Sequence, residues 1–109
     1  MTVDSTALVA TDRAARYGRQ LVAHLGRRHG GEWSDADERG VVLLGAGRAE
    51  VSCTPDGLRL SVTGAADDLP GLEDVVGRHL VRFGARDELQ VRWTRSDGRP
   101  GTDQRRDPD

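Results

Sequence analysis

The stretch RAEVSCTPDGLRLSVT, residues 48–63, is typical of a β-hairpin. Apolar and polar residues alternate on both sides of the four-residue turn TPDG. Pro55 presets the backbone for a tight turn, and Gly57 tolerates the left-handed conformation that closes it. Pairing Cys53 with Leu58 gathers the apolar side chains on one face, whereas a shift of one residue would divide them between two faces. The pattern therefore predicts the register as well as the hairpin, with an apolar face made of Ala49, Val51, Cys53, Leu58, Leu60 and Val62.

Two segments with helical spacing flank this hairpin. The first runs from about residue 12 to residue 28 and stops at Gly30 and Gly31. The second begins after Asp67 and Asp68 and ends at about Phe83, because Gly84 is a common helix terminator. Further strands are predicted at residues 6–10, 41–44 and 89–94.

The predicted order is therefore β-α-β-β-β-α-β. Each strand has one apolar and one polar face, which suits a mainly antiparallel sheet covered on one side. We expect an α+β two-layer sandwich with both helices on one sheet face, built as a single domain over residues 1–95. Residues 96–109, SDGRPGTDQRRDPD, contain no apolar residue and are predicted to be a disordered polar C-terminal tail.

Composition argues against several classes of function. The chain has 109 residues and a net charge of −2, and its arginines are interleaved with acids, so nucleic acid is not an expected partner. No apolar run approaches the length of a membrane span, and no signal peptide is apparent, so we expect a soluble cytoplasmic protein.

Cys53 is the one cysteine, which excludes an internal disulfide. The inward position of Cys53 favours packing over catalysis.

Two histidines lie on the apolar stripes of the predicted helices. His24 follows Tyr17 and Leu21 at helical spacing, and His79 follows Leu72 and Val76. Two imidazoles on neighbouring helices are reasonable ligands for iron, zinc or copper. The competing interpretation is that each histidine fills the edge of the core and forms a hydrogen bond there. The sequence contains no HxxxH or HExxH motif, which would have favoured the metal site, so both interpretations stay open.

Charged residues around His79 suggest two further roles. Arg78, Arg82 and Arg86 recur at intervals of four residues, and Asp74 lies four residues before Arg78, at the spacing of a helical ion pair. This face would be an anion-binding edge, with Arg82 and Arg86 as the binding residues, or simply a solvated helix face. His79 with Glu88 would form the acid–base pair of a small enzyme, although no nucleophile or cofactor loop accompanies it.

The sheet face away from the helices, the open sheet face, should be polar. It should either face water or form a weak homodimer. Its predicted side chains are Glu50, Ser52, Arg59, Ser61, Gln90, Arg92 and Thr94.

Three segments resemble a small bacterial family, domain of unknown function 2218. They are ALVATDRAARY (7–17), LEDVVGRHLVRF (72–83) and DELQVRW (87–93), and the resemblance extends over about residues 5–95. The family has no established activity. Its members are similar to segments joined to, or encoded near, siderophore-interacting flavin reductases and iron-uptake genes.

The resemblance implies a non-catalytic binding or accessory module linked to iron or siderophore handling, with a flavin reductase as partner. Within the family pattern, the helix-borne histidines correspond to His24 and His79, and the arginine-rich stretch corresponds to Arg82, Arg86 and Glu88. Iron or a ferric siderophore is the implied ligand, and no other cofactor is evident. The alternatives are a small enzyme that uses His79 and Glu88, and a structural homodimer that acts through protein partners.

Overall fold

The computed structural model describes residues 2–105, apart from the side chains of residues 28 and 29. Two helices and seven strands account for most of these residues. Short 3-10 turns precede and follow the second helix. The elements are β1 (Val3–Ala10), α1 (Ala14–His29), β2 (Gly31–Ser34), β3 (Arg39–Leu43), β4 (Gly47–Thr54), β5 (Gly57–Gly64), α2 (Leu69–Phe83), β6 (Gln90–Arg95) and β7 (Pro100–Arg105).

All seven strands form one antiparallel sheet in the order β2-β3-β4-β5-β1-β6-β7. Helix α1 packs over β2 to β5, and α2 packs mainly over β5, β1, β6 and β7. Apolar residues from both helices and from the covered sheet face form one core cluster. The predicted α+β two-layer fold, with both helices on one face, is confirmed.

The central hairpin has the register that its alternation predicted. Cys53 is opposite Leu58, and pairing continues one step further, to Thr54 and Gly57. The Thr54 hydroxyl oxygen accepts hydrogen bonds from the backbone N–H groups of Asp56 at 3.2 Å and Gly57 at 3.1 Å. Gly57 has a φ of 150°, which favours glycine. The turn residues and the alternation of apolar side chains therefore favour the same strand register in this hairpin.

Strand β2 was not part of the predicted order. It has four residues, of which only Trp33 is large and apolar, so it has too little alternation to be recognised. Its strand conformation comes from pairing with β3, where Trp33 is opposite Gly40. The Trp33 ring packs against Gly18 of α1: a Cβ on Gly18 would lie 2.9 Å from two of its ring carbons.

The prediction of a disordered tail from residue 96 is wrong as far as residue 105. Residues 100–105 form β7, which pairs with β6, so the domain extends beyond residue 95. The strand has no apolar side chain, and it is held by polar contacts instead. Buried Gln104 accepts a hydrogen bond from Nε1 of Trp93 at 2.6 Å and donates one to Oγ1 of Thr102 at 2.8 Å. Residues 106–109 of the predicted tail lie outside the described residues.

A buried carboxylate on α2 connects the helix to three strands. The Glu73 side chain is fully buried. It accepts hydrogen bonds from Oγ of Ser5 on β1 at 2.6 Å, and from Nε and Nη2 of Arg95 on β6 at 3.0 and 2.9 Å. The backbone N–H and the hydroxyl of Thr102 on β7 complete the set at 3.1 and 3.0 Å. Every oxygen of this buried group is therefore bonded, as a stable fold requires.

The pKa of Glu73 shows that these bonds outweigh the cost of burial. Burial, the largest influence, raises the pKa of the carboxyl, but the hydrogen bonds from Arg95, Ser5 and Thr102 together lower it below its ordinary value. The charged form is therefore favoured in the folded state. Its contribution to stability is present above the unfolded-state pKa of about 4.3 and is lost as pH falls through the folded-state value.

Gly77 lets α2 approach β7 closely. A Cβ at this position would lie 2.6 Å from Cδ and 2.9 Å from Cγ of Gln104. Glycine inside a helix costs about 1 kcal/mol relative to alanine. The absence of a Cβ leaves room for the Gln104 side chain, whose amide oxygen accepts a hydrogen bond from the indole N–H of Trp93. This hydrogen bond offsets the cost of the glycine.

We expect Gly77→Ala to destabilise the protein by about 1 to 2 kcal/mol despite its better helix propensity, because it displaces Gln104 and leaves a buried indole N–H without an acceptor. Gly71→Ala is the matched control in the same helix, since a Cβ there would meet nothing within 4 Å. Gly71→Ala should be neutral or stabilise by up to about 1 kcal/mol. Urea unfolding and the Trp93 indole proton resonance measure both effects. A Gly77→Ala variant as stable as Gly71→Ala, with an unshifted indole proton, would contradict this account.

Candidate functional site

The two predicted histidines meet where the C-terminal halves of the helices run side by side. The ring centroids of His24 on α1 and His79 on α2 are 4.9 Å apart, with the ring planes tilted by 43°. Phe83, one turn after His79, places its ring centroid 5.3 Å from that of His24, edge to face, and 6.4 Å from that of His79. We call His24, His79 and Phe83 the histidine cluster. The helical spacing of His79 and Phe83 was the available signal for the third ring.

The two imidazoles differ in exposure and bonding. His24 is exposed, whereas His79 is half-buried. Nδ1 of His79 lies 2.7 Å from the carbonyl oxygen of Val75, one turn earlier in α2. A carbonyl oxygen only accepts, so Nδ1 carries the proton and donates it. In the neutral ring, Nε2 is then the nitrogen left for a ligand.

Desolvation and nearby positive charges both disfavour the protonated form of His24. Desolvation is the largest cause that lowers the pKa of His24, followed by the positive charges of His79, Arg27 and Arg82. His24 is therefore neutral at neutral pH. The charges of Arg27 and Arg82, which contribute less to this shift than desolvation does, also disfavour a metal cation at this ring and attract an anion.

A protein-only metal site at the cluster would be incomplete. Residues 2–105, as far as the structure describes their side chains, contain no group of three or more His, Cys, Asp or Glu side chains arranged to hold a metal ion. Zinc sites in proteins use at least three protein ligands. A metal bound by His24 and His79 would have to bring its remaining ligands with it.

The other predicted site residues lie at the same end of α2. Arg82 is exposed in the last turn of α2, near enough to His24 to influence its pKa. Arg86 is exposed in the 3-10 turn that follows α2. Glu88 is exposed at a left-handed φ of 53°. No hydrogen bond joins Glu88 to His79 within the described chain, and the His79 ring is bonded to Val75 instead.

Tyr17 and Asp87 hold this region in place. The buried hydroxyl of Tyr17 on α1 donates a hydrogen bond to the Asp87 carboxylate, in the turn after α2. That bond and, next, burial raise the pKa of Tyr17. The sequence placed Tyr17 on the core stripe, but its hydroxyl partner could not be predicted, because Asp87 lies 70 residues further along the chain.

Cys53 lacks the properties of a catalytic thiol. It is half-buried and unpaired. Burial and, next, the carboxylate of Glu38 raise the pKa of the thiol. A nucleophilic cysteine needs the opposite shift, so the chemistry of this residue is that of a packed side chain.

We expect His79→Gln to raise the pKa of His24, because it removes one of the positive charges that oppose protonation there. Proton NMR titration of the His24 ring measures the change. Arg78→Gln is the matched control, because Arg78 is an exposed neighbour paired with Asp74 at 3.2 Å. An unchanged His24 pKa in His79→Gln would mean that the two rings are not in contact in solution.

Comparison with known proteins identifies a family and a structural relative. No protein of curated function matches the chain. The solved structure of PA4090 from Pseudomonas aeruginosa, determined by NMR, is similar at 25% identity and a TM-score of 0.65, covering 86% of this chain and 96% of that one. Among the described residues, no helix is both long and apolar enough to cross a membrane. Residues 6–94 match the family described as "Uncharacterized protein conserved in bacteria" (DUF2218), and the chain belongs to that family.

Proposed function

We propose that the protein is a non-catalytic binding module that recognises an anionic ligand at the histidine cluster. The observation that carries the proposal is the contact between His24 and His79, whose ring centroids are 4.9 Å apart in the positive field of Arg27 and Arg82. Two imidazoles and a phenyl ring offer flat surfaces, and the guanidinium groups offer paired N–H donors for carboxylate, catecholate or phosphate oxygens.

A ferric siderophore complex meets these requirements better than a bare metal ion. Such complexes are often anionic, and the siderophore supplies the ligands that the cluster lacks. In this proposal the protein binds the outer oxygens of the complex, with Arg82 and Arg86 at its edge, and does not coordinate the iron through a protein-only site. The link between this family and iron uptake, implied by the resemblance, points to the same ligand class. It also suggests a cytoplasmic siderophore-interacting flavin reductase as the partner.

The bonding of His79 favours binding over catalysis. The predicted acid–base pair requires Glu88 to lie within hydrogen-bond reach of His79. In this chain Nδ1 of His79 donates to the backbone of its own helix, 2.7 Å away, and Glu88 is exposed. The raised pKa of Cys53 leaves no activated thiol to take part.

Native mass spectrometry and calorimetry with two iron complexes test the proposal. The probes are an anionic ferric tris-catecholate and a neutral ferric tris-hydroxamate, each added to wild type, to a His24→Ala/His79→Ala double variant and to Arg82→Gln. We expect wild type to bind the anionic complex, the double variant to lose binding, and Arg82→Gln to bind about tenfold more weakly, the equivalent of one charge-assisted hydrogen bond. Arg78→Gln is the control and should bind as wild type does.

Three results would contradict the proposal: no uptake of the anionic complex, equal uptake of the neutral one, or unchanged binding by the double variant. The same spectra give the oligomeric state. A monomer or a weak homodimer is expected, because charged and polar side chains occupy most of the open sheet face. A stable dimer that takes up neither complex would favour the structural role instead.

A further inference from the structure

The sheet face away from the helices contains a cavity that is separate from the histidine cluster. It has a volume of about 520 Å³ and lies over β2, β3, β4 and β5. Small-molecule sites in proteins have volumes of roughly 300–1,000 Å³. The histidine cluster is built from helix residues on the covered side of the sheet, so the cavity is a different surface.

One side of the cavity is a row of arginine and serine side chains. Arg39 on β3 is opposite Ser52 on β4, and Ser52 is opposite Arg59 on β5. Ser34 on β2 extends the row beyond Arg39. Both arginines are exposed, and neither forms an ion pair within residues 2–105. We call this the arginine row; its two guanidinium groups and two hydroxyls are suited to a carboxylate or phosphate.

A parallel row of acidic residues lies two residues further along each strand. Glu32 on β2 is opposite Val41 on β3, and Val41 is opposite Glu50 on β4. A two-residue step along an antiparallel strand is about 7 Å. Val41, 38% exposed, supplies an apolar surface between the two carboxylates. Glu50 lies 3.4 Å from the guanidinium of Arg48, but both side chains are 55% exposed, so this pair holds Glu50 weakly.

We propose that this cavity binds a small zwitterion whose anionic and cationic groups are about 7 Å apart, as in a dipeptide or a long ω-amino carboxylate. The arginine row receives the carboxylate and the glutamate row receives the ammonium group. The two rows balance in charge, so a simple anion leaves the glutamates unmatched, and a polyanion is repelled by them. The inference is independent of the function proposed for the histidine cluster.

Titration by two-dimensional NMR tests this site, with ε-aminocaproate and glycylglycine as the probes. Glycine, acetate and butylammonium are the comparison ligands, since each lacks either the second charge or the separation. We expect the probes to shift amide resonances of β2 to β5 and to bind more tightly than all three comparison ligands. Arg59→Gln and Glu50→Gln should each weaken binding about tenfold, corresponding to one lost charge-assisted contact.

Arg92→Gln is the matched control for these variants. Arg92 is an exposed arginine on the same sheet face, in β6, paired with Asp103 at 3.7 Å, and it does not line the cavity. It should bind the probes as wild type does. The proposal is overturned if the probes shift no resonances of β2 to β5, if acetate binds as tightly as ε-aminocaproate, or if Arg59→Gln binds like Arg92→Gln. The expected result for His24→Ala/His79→Ala is unchanged zwitterion binding, which separates this site from the cluster.

Discussion

The buried carboxylate of Glu73 is the contact on which the second half of the fold depends. A charge taken out of water is tolerated only when bonded partners surround it, and Glu73 has them from β1, β6 and β7. Strand β7 contributes no apolar side chain to the core and is held by polar contacts instead. Thr102 bonds it to Glu73 of α2, and Gln104 bonds it to Trp93 of β6. This network and the apolar face of α2 together set the position of the helix on the sheet, and with it the position of His79.

Elements with a clear local pattern were predictable from the sequence. The β4–β5 hairpin combines strict alternation with a Pro-Asp-Gly turn, and its predicted register is correct. The helices follow from their apolar stripes and from the glycines that end them. Strands β2 and β7 were missed because their conformation comes from pairing with neighbours and not from their own composition.

Glu73 did leave a signal in the sequence. It lies at helical spacing from Leu69, Val76 and Leu80, all fully buried, so its place on the covered face of α2 could have been inferred. The partners of Glu73 could not be inferred, because Arg95 and Thr102 are brought to it by the sheet topology.

The contact between the histidines was predictable only in part. The apolar stripes placed His24 and His79 near the helix ends, but only the packing of α1 on α2 shows that the rings meet. The open-face cavity follows from register across four strands, which a single strand pattern cannot reveal.

Amide hydrogen exchange in Glu73→Gln, compared with Asp74→Asn, tests the central role of this carboxylate most directly. Glu73→Gln leaves the Arg95 guanidinium, 12% exposed, without its charged partner, and removing one partner of a buried pair costs about 3 to 5 kcal/mol. Asp74 pairs with the exposed Arg78, and an exposed pair of this kind is worth less than about 1 kcal/mol. The account predicts that Glu73→Gln loses protection at the Thr102 amide and along β7, before the β4–β5 hairpin does, while Asp74→Asn keeps it. Equal protection of β7 in the two variants would contradict the account.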